Sequence, residues 1–153
     1  MRMRRRPGSL LTRNKRGAAL VEMAIVVSLL FILVFGLIDF GLVLRDYLAL
    51  SQVAREAARS AAVGSDTTTV NSRIVNWGFR LGLSVPRIQA TMECVDPETG
   101  ATRGLGDSGE FNDAPAGSQI AIGLTYQHQM IAGRLLAMPN VIQLKSTMVM
   151  RRE

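Results

Sequence analysis

Residues 17–44 read GAALVEMAIVVSLLFILVFGLIDFGLVL, and the nature of this stretch decides the fold. Residues 23–38 carry no charge, and extending to Leu44 gives 22 residues in which Asp39 is the sole charged side chain. As an α-helix those residues span about 33 Å, enough to cross a hydrocarbon core of ~30 Å. The central helix of a soluble core is the alternative. The run is apolar on every face, however, and a dense basic cluster precedes it; both mark a membrane span.

That cluster holds Arg2, Arg4, Arg5, Arg6, Arg13, Lys15 and Arg16, with no anion in residues 1–17. It accounts for the formal net charge of +6: of 18 Lys and Arg, 11 remain beyond residue 17, against 12 Asp and Glu. The body of the chain is close to neutral and gives no reason to expect a nucleic-acid partner. After the span, Arg45, Arg55 and Arg59 are mixed with Asp46 and Glu56. The positive-inside rule then puts the N-terminus in the cytoplasm and the C-terminal part outside a cytoplasmic (inner) membrane, crossed once. A cleaved secretory signal would have a shorter apolar region and a small-x-small site after it; residues 38–44 offer none. With 153 residues, 48% of them hydrophobic, the chain suits one ordinary domain rather than a two-domain enzyme or a disordered chain. A single cysteine, Cys94, excludes an internal disulfide framework and a Cys-rich metal knuckle.

The helix is expected to continue beyond the membrane. No proline lies between Pro7 and Pro86, and residues 45–64 read RDYLALSQVAREAARSAAVG. Apolar or small residues at 47, 50, 54, 57, 58 and 61 keep helical spacing, and Gly64 suits a C-cap. Unbroken, residues 18–63 make a helix of about 69 Å, which Gly36 and Gly41 could soften locally. Ala54, Ala58 and Ala62, with Ala57 and Ala61 beside them, form a row over which another backbone can approach closely. The approaching element could belong to the same chain or to another subunit. Asp39 lies ~9 Å before Arg45 by helix rise. An ionisable residue in a span faces a partner or water and marks function; alternatively the membrane boundary falls near Asp39 and the carboxylate reaches water.

The N-terminal pattern resembles a type IV prepilin site: a basic leader ending in Gly17, a small residue, Ala18, and Glu22 at the head of an apolar helix. The wider stretch, with Gly36-Leu-Ile-Asp39-Phe-Gly41 and then the alanine-rich run through residues 54–62, resembles the TadE-like family of minor pilins or pseudopilins of the tight-adherence (Flp) pilus system. The resemblance implies cleavage between Gly17 and Ala18 by a prepilin peptidase, an assembly role for Glu22 and an acidic contact at Asp39. It also implies partners among other minor pilins and pilus machinery, and a homo- or hetero-oligomer formed through the N-terminal helix. Major Flp pilins are much shorter and usually have Glu-Tyr where this chain has Glu22-Met23, so a minor component is indicated. Many type IV pilins carry a helix-bending proline that this helix lacks. In physical terms, cleavage would create a charged α-amine on Ala18. Glu22, one turn along, can compensate it in the same or a neighbouring subunit, and the helix N-terminus favours an anion there.

In the remainder, residues 66–70 can start a second, shorter helix whose stripe is Val70, Ile74, Trp77 and Leu81. Trp77 and Phe79 are expected as core anchors, with the membrane interface as the alternative. Residues 87–95 alternate as a strand, residues 96–117 are dense in turn residues, and residues 119–129 and 141–150 read as two more strands. Residues 130–140 suit a short helix or a loop resting on the membrane. The acidic residues of 93–113 lack EF-hand spacing and suggest a solvated loop rather than a Ca²⁺ site. His128 and Cys94 are expected as satisfied or buried residues, with an intermolecular disulfide at Cys94 the less favoured option. No phosphate loop, HExxH or nucleophile elbow is present; neither cofactor nor metal is expected, and the chain is expected not to be an enzyme.

The expected architecture is α+β and pilin-like: a leader at 1–17, a transmembrane helix at 18–44, its amphipathic extension at 45–64 and a small extracytoplasmic domain at 65–153 with a short antiparallel sheet. The expected function is structural, in a tight-adherence pilus. Two alternatives stand beside it: an uncleaved single-span anchor displaying a binding module, and a type II secretion pseudopilin.

Overall fold

A computed structural model of the chain describes residues 15–106, 111–133 and 139–153, with side chains from Gly17 onward. Most of the basic leader lies outside the described residues. The proline-free stretch forms one helix, α1 (Lys15–Ala62), of 48 residues, or about 72 Å. Gly36 and Gly41 do not interrupt it. It stops where Gly64 adopts a φ of 91°, a conformation that costs other residues a Cβ clash. The final carbonyls are then taken up one by one. Gly64 N donates to Ala61 O (3.0 Å), Ser65 N to Ser60 O (3.2 Å) and Glu153 N to Ala62 O (3.3 Å). Asn112 Nδ2 bridges Ala61 O at 2.8 Å and Ser65 O at 3.0 Å. A helix end that would otherwise carry orphan acceptors is thus closed by the C-terminus and one side chain.

The second helix, α2 (Thr67–Arg80), follows Asp66 at its N-cap. The Asp66 carboxylate accepts from the Thr68 hydroxyl, which holds its carboxyl below the ordinary value of 3.8. Val70 and Ile74 are buried, and Trp77 and Leu81 pack against the core, as their spacing predicts. Phe79 does not: it is 77% exposed, because two positions from Trp77 is the far side of a helix. Gly78 is buried, and a Cβ there would come within 2.9 Å of Ile88 Cδ1. Glycine therefore lets the helix lie close to the strand that follows it.

Four antiparallel strands complete the α+β fold: β1 (Ile88–Val95), β2 (Thr102–Gly104), β3 (Gln119–Gln129) and β4 (Val141–Arg151), in the order β2-β1-β3-β4. The short β2 was not foreshadowed by its three residues inside a turn-rich stretch. On β3 the period of two is plain: Ile120, Ile122, Leu124, Tyr126 and His128 are all buried, while residues between them are not. This face and α2 pack on α1. There Leu50, Val53, Ala54, Ala57, Ala58 and Ala61 have no solvent exposure and Ala62 is buried. Of the α1 positions expected to face inward, Tyr47 alone stays exposed. The outer half of α1 is therefore the spine of the domain core, and its alanines set how closely the sheet and α2 approach.

Two outcomes are expected. Ala58→Leu would overpack this spine and lower stability by about 1–3 kcal/mol, read by thermal unfolding in detergent; an unchanged transition would mean the alanine face is not tightly filled. Asp96 closes the β1–β2 turn by accepting from Glu98 N (2.8 Å) and Thr99 N (3.2 Å), and these bonds hold its carboxyl below 3.8. Because the folded value lies below the unfolded one, this contribution is complete above the unfolded value and is lost as pH falls through the folded one. Amide exchange at Glu98 and Thr99, corrected for intrinsic rates, should lose protection in acid while β3 keeps it.

Candidate functional site

From Ala18 to Leu44 α1 stands almost entirely clear of the domain, and its apolar side chains are exposed or half-buried. It is one helix long and apolar enough to cross a membrane, with a mean hydropathy of 2.8 over its most apolar window. Glu22 and Ala18 are exposed and Gly17 is half-buried. Between Glu22 and Arg45 no charged side chain faces outward, because Asp39 is turned in.

Asp39 is 1% exposed. Its two carboxylate oxygens each accept a backbone amide from the chain that leaves β3: Oδ1 from Ile131 N at 3.0 Å, Oδ2 from Ala132 N at 2.9 Å. Helical spacing explains its direction. Asp39, Val43, Asp46 and Leu50 follow i, i+4, i+7, i+11, so Asp39 belongs to the stripe that becomes the core face above it. The β3–β4 connection reaches down to meet it. Its ends are clasped: Met130 N donates to Asn140 O at 2.9 Å. Gly133 is buried where a Cβ would sit 3.1 Å from Pro139 O. Of the connection expected at 130–140, residues 134–138 lie outside the described residues. The Asp39 carboxylate thus finds its hydrogen-bond donors within its own chain.

One heptad on, Asp46 meets His128. Asp46 Oδ2 lies 2.8 Å from His128 Nδ1, and the histidine is 5% exposed. Which of the two atoms donates in this bond depends on the imidazole tautomer and on the carboxyl. His128 Nε2 is buried and has no hydrogen-bond partner among the described residues. A third polar contact between helix and sheet, Ser146 Oγ to Ser51 Oγ at 3.3 Å, lies farther along. Neither Asp46 nor Ser51 had been singled out by sequence. The signal for the first pair was present: alternation on β3 puts residue 128 on the inner face, and the Asp39–Leu50 stripe puts Asp46 opposite.

The other expected residues fall as follows. Ala54, Ala57, Ala58, Ala61 and Ala62 are covered by the chain's own sheet and α2, so the approaching element is intramolecular. Cys94 is a buried free thiol. In the acidic stretch, Asp96 serves its own turn, while Asp113 Oδ1 accepts from Gly106 N at 2.8 Å and Oδ2 pairs with Arg103 at 3.3 Å; Asp107 and Glu110 lie outside the described residues. Among the described residues no three His, Cys, Asp or Glu side chains are grouped to hold a metal ion.

The family model described as TadE-like protein matches residues 17–59. It is the family that the N-terminal residues resemble, and the match covers most of α1 and none of the sheet. No curated protein and no solved structure matches the chain.

Replacing Asp39 tests the clasp. Asp39→Ala should leave the Ile131 and Ala132 amides without acceptors at a cost of about 1–3 kcal/mol, with both amides losing exchange protection. Asp39→Asn, which keeps one carbonyl oxygen, should be intermediate. Unchanged protection in both variants would show that the carboxylate does not hold this turn.

Proposed function

We propose that this chain is a structural component of a tight-adherence pilus system, a minor pilin or pseudopilin, inserted in the cytoplasmic membrane as a precursor and cut between Gly17 and Ala18 by a prepilin peptidase. The peptidase is the enzyme and this chain its substrate. The observation that carries this is the exposed apolar helix from Ala18 to Leu44, with Gly17 and Glu22 at its head, in the segment matched by the TadE-like family model. An apolar surface of this length, left uncovered by its own domain, needs lipid or other helices around it.

Cleavage would remove all seven leader cations and leave the α-amine of Ala18 at the start of the helix. Glu22 is four positions along and exposed, so its carboxylate is free to meet that amine or the amine of a neighbouring subunit. Helix-to-helix packing between subunits would use the exposed part of α1 and not the alanine row, which is filled. The leader keeps the N-terminus in the cytoplasm, and the sheet domain is displayed outside, where it would meet other minor pilins or pilus machinery.

N-terminal sequencing of the protein from its native host should return Ala18 as the first residue; Met1 on all assembled protein would defeat the proposal. Glu22→Ala should leave membrane insertion intact and impair processing or recovery of the protein with pilus components, as measured by immunoblot of membrane and sheared fractions.

A further inference from the structure

We propose that the open edge of β4 is a strand-addition site. It takes an extended segment of another protein, antiparallel to β4, with alternate apolar residues and a carboxylate set against Lys145. This goes beyond the assembly role proposed above and does not depend on cleavage at Gly17. β4 ends the sheet order β2-β1-β3-β4, and its side away from β3 meets no strand among the described residues. The register decides which backbone groups are left there. Arg152 N donates to Ser118 O at 2.8 Å and Met130 N to Asn140 O at 2.9 Å, both in the register that joins β3 to β4. Hydrogen-bonded and non-hydrogen-bonded pairs alternate along an antiparallel ladder. Even-numbered residues of β4 therefore bond to β3, and Gln143, Lys145, Thr147 and Val149 aim their N–H and C=O groups at the open side.

Edge strands are commonly blunted by proline, by a bulge or by short length. β4 has 11 residues and no proline, and its register with β3 is unbroken from Val141 to Arg151. The apolar inner row also runs on past β3. Ile120 and Ile122 are fully buried. Met150 and Met148, their partners on β4, are only partly buried, as is Ile142. Apolar side chains at alternate positions of an added strand would cover that row, as β4 covers the row on β3.

Charge selects the occupant. On the outer face, the row across the sheet at mid-strand is Gln89, Thr125 and Lys145. Lys145 is exposed and has no ion pair among the described residues. A carboxylate facing it from a new neighbour would make an opposite-charge cross-strand pair. Neither edge of a second copy supplies one. β4 contains Lys145 and Arg151 and no acid, so pairing two β4 edges brings like charges together. The other edge strand, β2, has 3 residues and carries Arg103. The segment that fits is foreign and extended, apolar on one face and acidic on the other.

The test uses the full chain, nitrogen-15 labelled in detergent. Its probe is a synthetic peptide, blocked at both ends, of alternating valine and threonine with glutamate in place of the central threonine. With peptide at about ten times its Kd the edge is open about a tenth of the time, so solvent exchange at the Lys145, Thr147 and Val149 amides should slow about tenfold. The Leu144, Ser146 and Met148 amides, already bonded to β3, should not change. Lysine in place of the peptide's glutamate should weaken binding, and Lys145→Glu should reverse that preference. Thr147→Pro removes an outward N–H and none that β3 uses; it should leave exchange along β3 unchanged and abolish the peptide's effect. No slowing at the edge with millimolar peptide would overturn the proposal, as would equal slowing in Thr147→Pro. Equal affinity for both peptides would overturn the acidic partner. Edge protection that rises with protein concentration before peptide is added would assign the edge to a second copy and overturn the foreign one.

Discussion

The alanine face of α1 is the constraint on which the outer domain depends. Leu50, Val53, Ala54, Ala57, Ala58 and Ala61 are fully buried, and small side chains there let α2 and the β3–β4 face approach the helix closely. The helix gives up little to provide this surface, since alanine has the most favourable helix propensity. Burial of that face makes α1 a shared element: below Arg45 it is exposed, apolar and long enough to cross a membrane, and above it one face is the core of its own domain. The contrast between the charge-free exposed surface of residues 23–44 and the polar outer side of residues 45–62 follows from that division.

Two carboxylates mark the passage between these environments. Asp39 and Asp46 lie one heptad apart on the face that turns inward, and each is met by the strand end or turn descending from β3. Hydrophobic packing alone would leave the height of the sheet along an alanine-rich helix weakly specified. Directional bonds at two levels, with Ser51–Ser146 as a third, give the sheet a register on the helix. Buried polar contacts serve specificity in this way when every short-range partner is present. Among the described residues, His128 Nε2 is the one buried polar atom of this seam without a partner.

Much of the fold was legible in the sequence for identifiable reasons. The absence of proline from Pro7 to Pro86 and the steady apolar spacing gave α1 to within a few residues at either end. Period-two alternation gave β3 and β4 almost to the residue, because both strands have one buried face. β2 was hidden because three residues carry no period. The partners of Asp39 were hidden for a different reason: they are backbone amides 92 and 93 positions away, and a backbone amide leaves no trace in residue identity. Asp46 with His128 was recoverable, since each lies in phase with a buried stripe. The alanine row was legible as a packing surface, but its spacing could not say whether the covering element was internal.

The unbroken course of α1 has a mechanical consequence. A proline or paired glycine kink at the membrane surface would uncouple the span from the domain; here Gly36 and Gly41 leave the helix continuous, and the Asp39 clasp braces it against the sheet. In a bilayer, the helix would be a stiff lever with its fulcrum in the membrane. From Arg45 to Ala62 the outer arm is about 26 Å long, so a tilt of ~20° in the span swings its tip sideways by roughly 9 Å. Any change in the tilt of such a span would thereby be geared to the position and facing of the sheet.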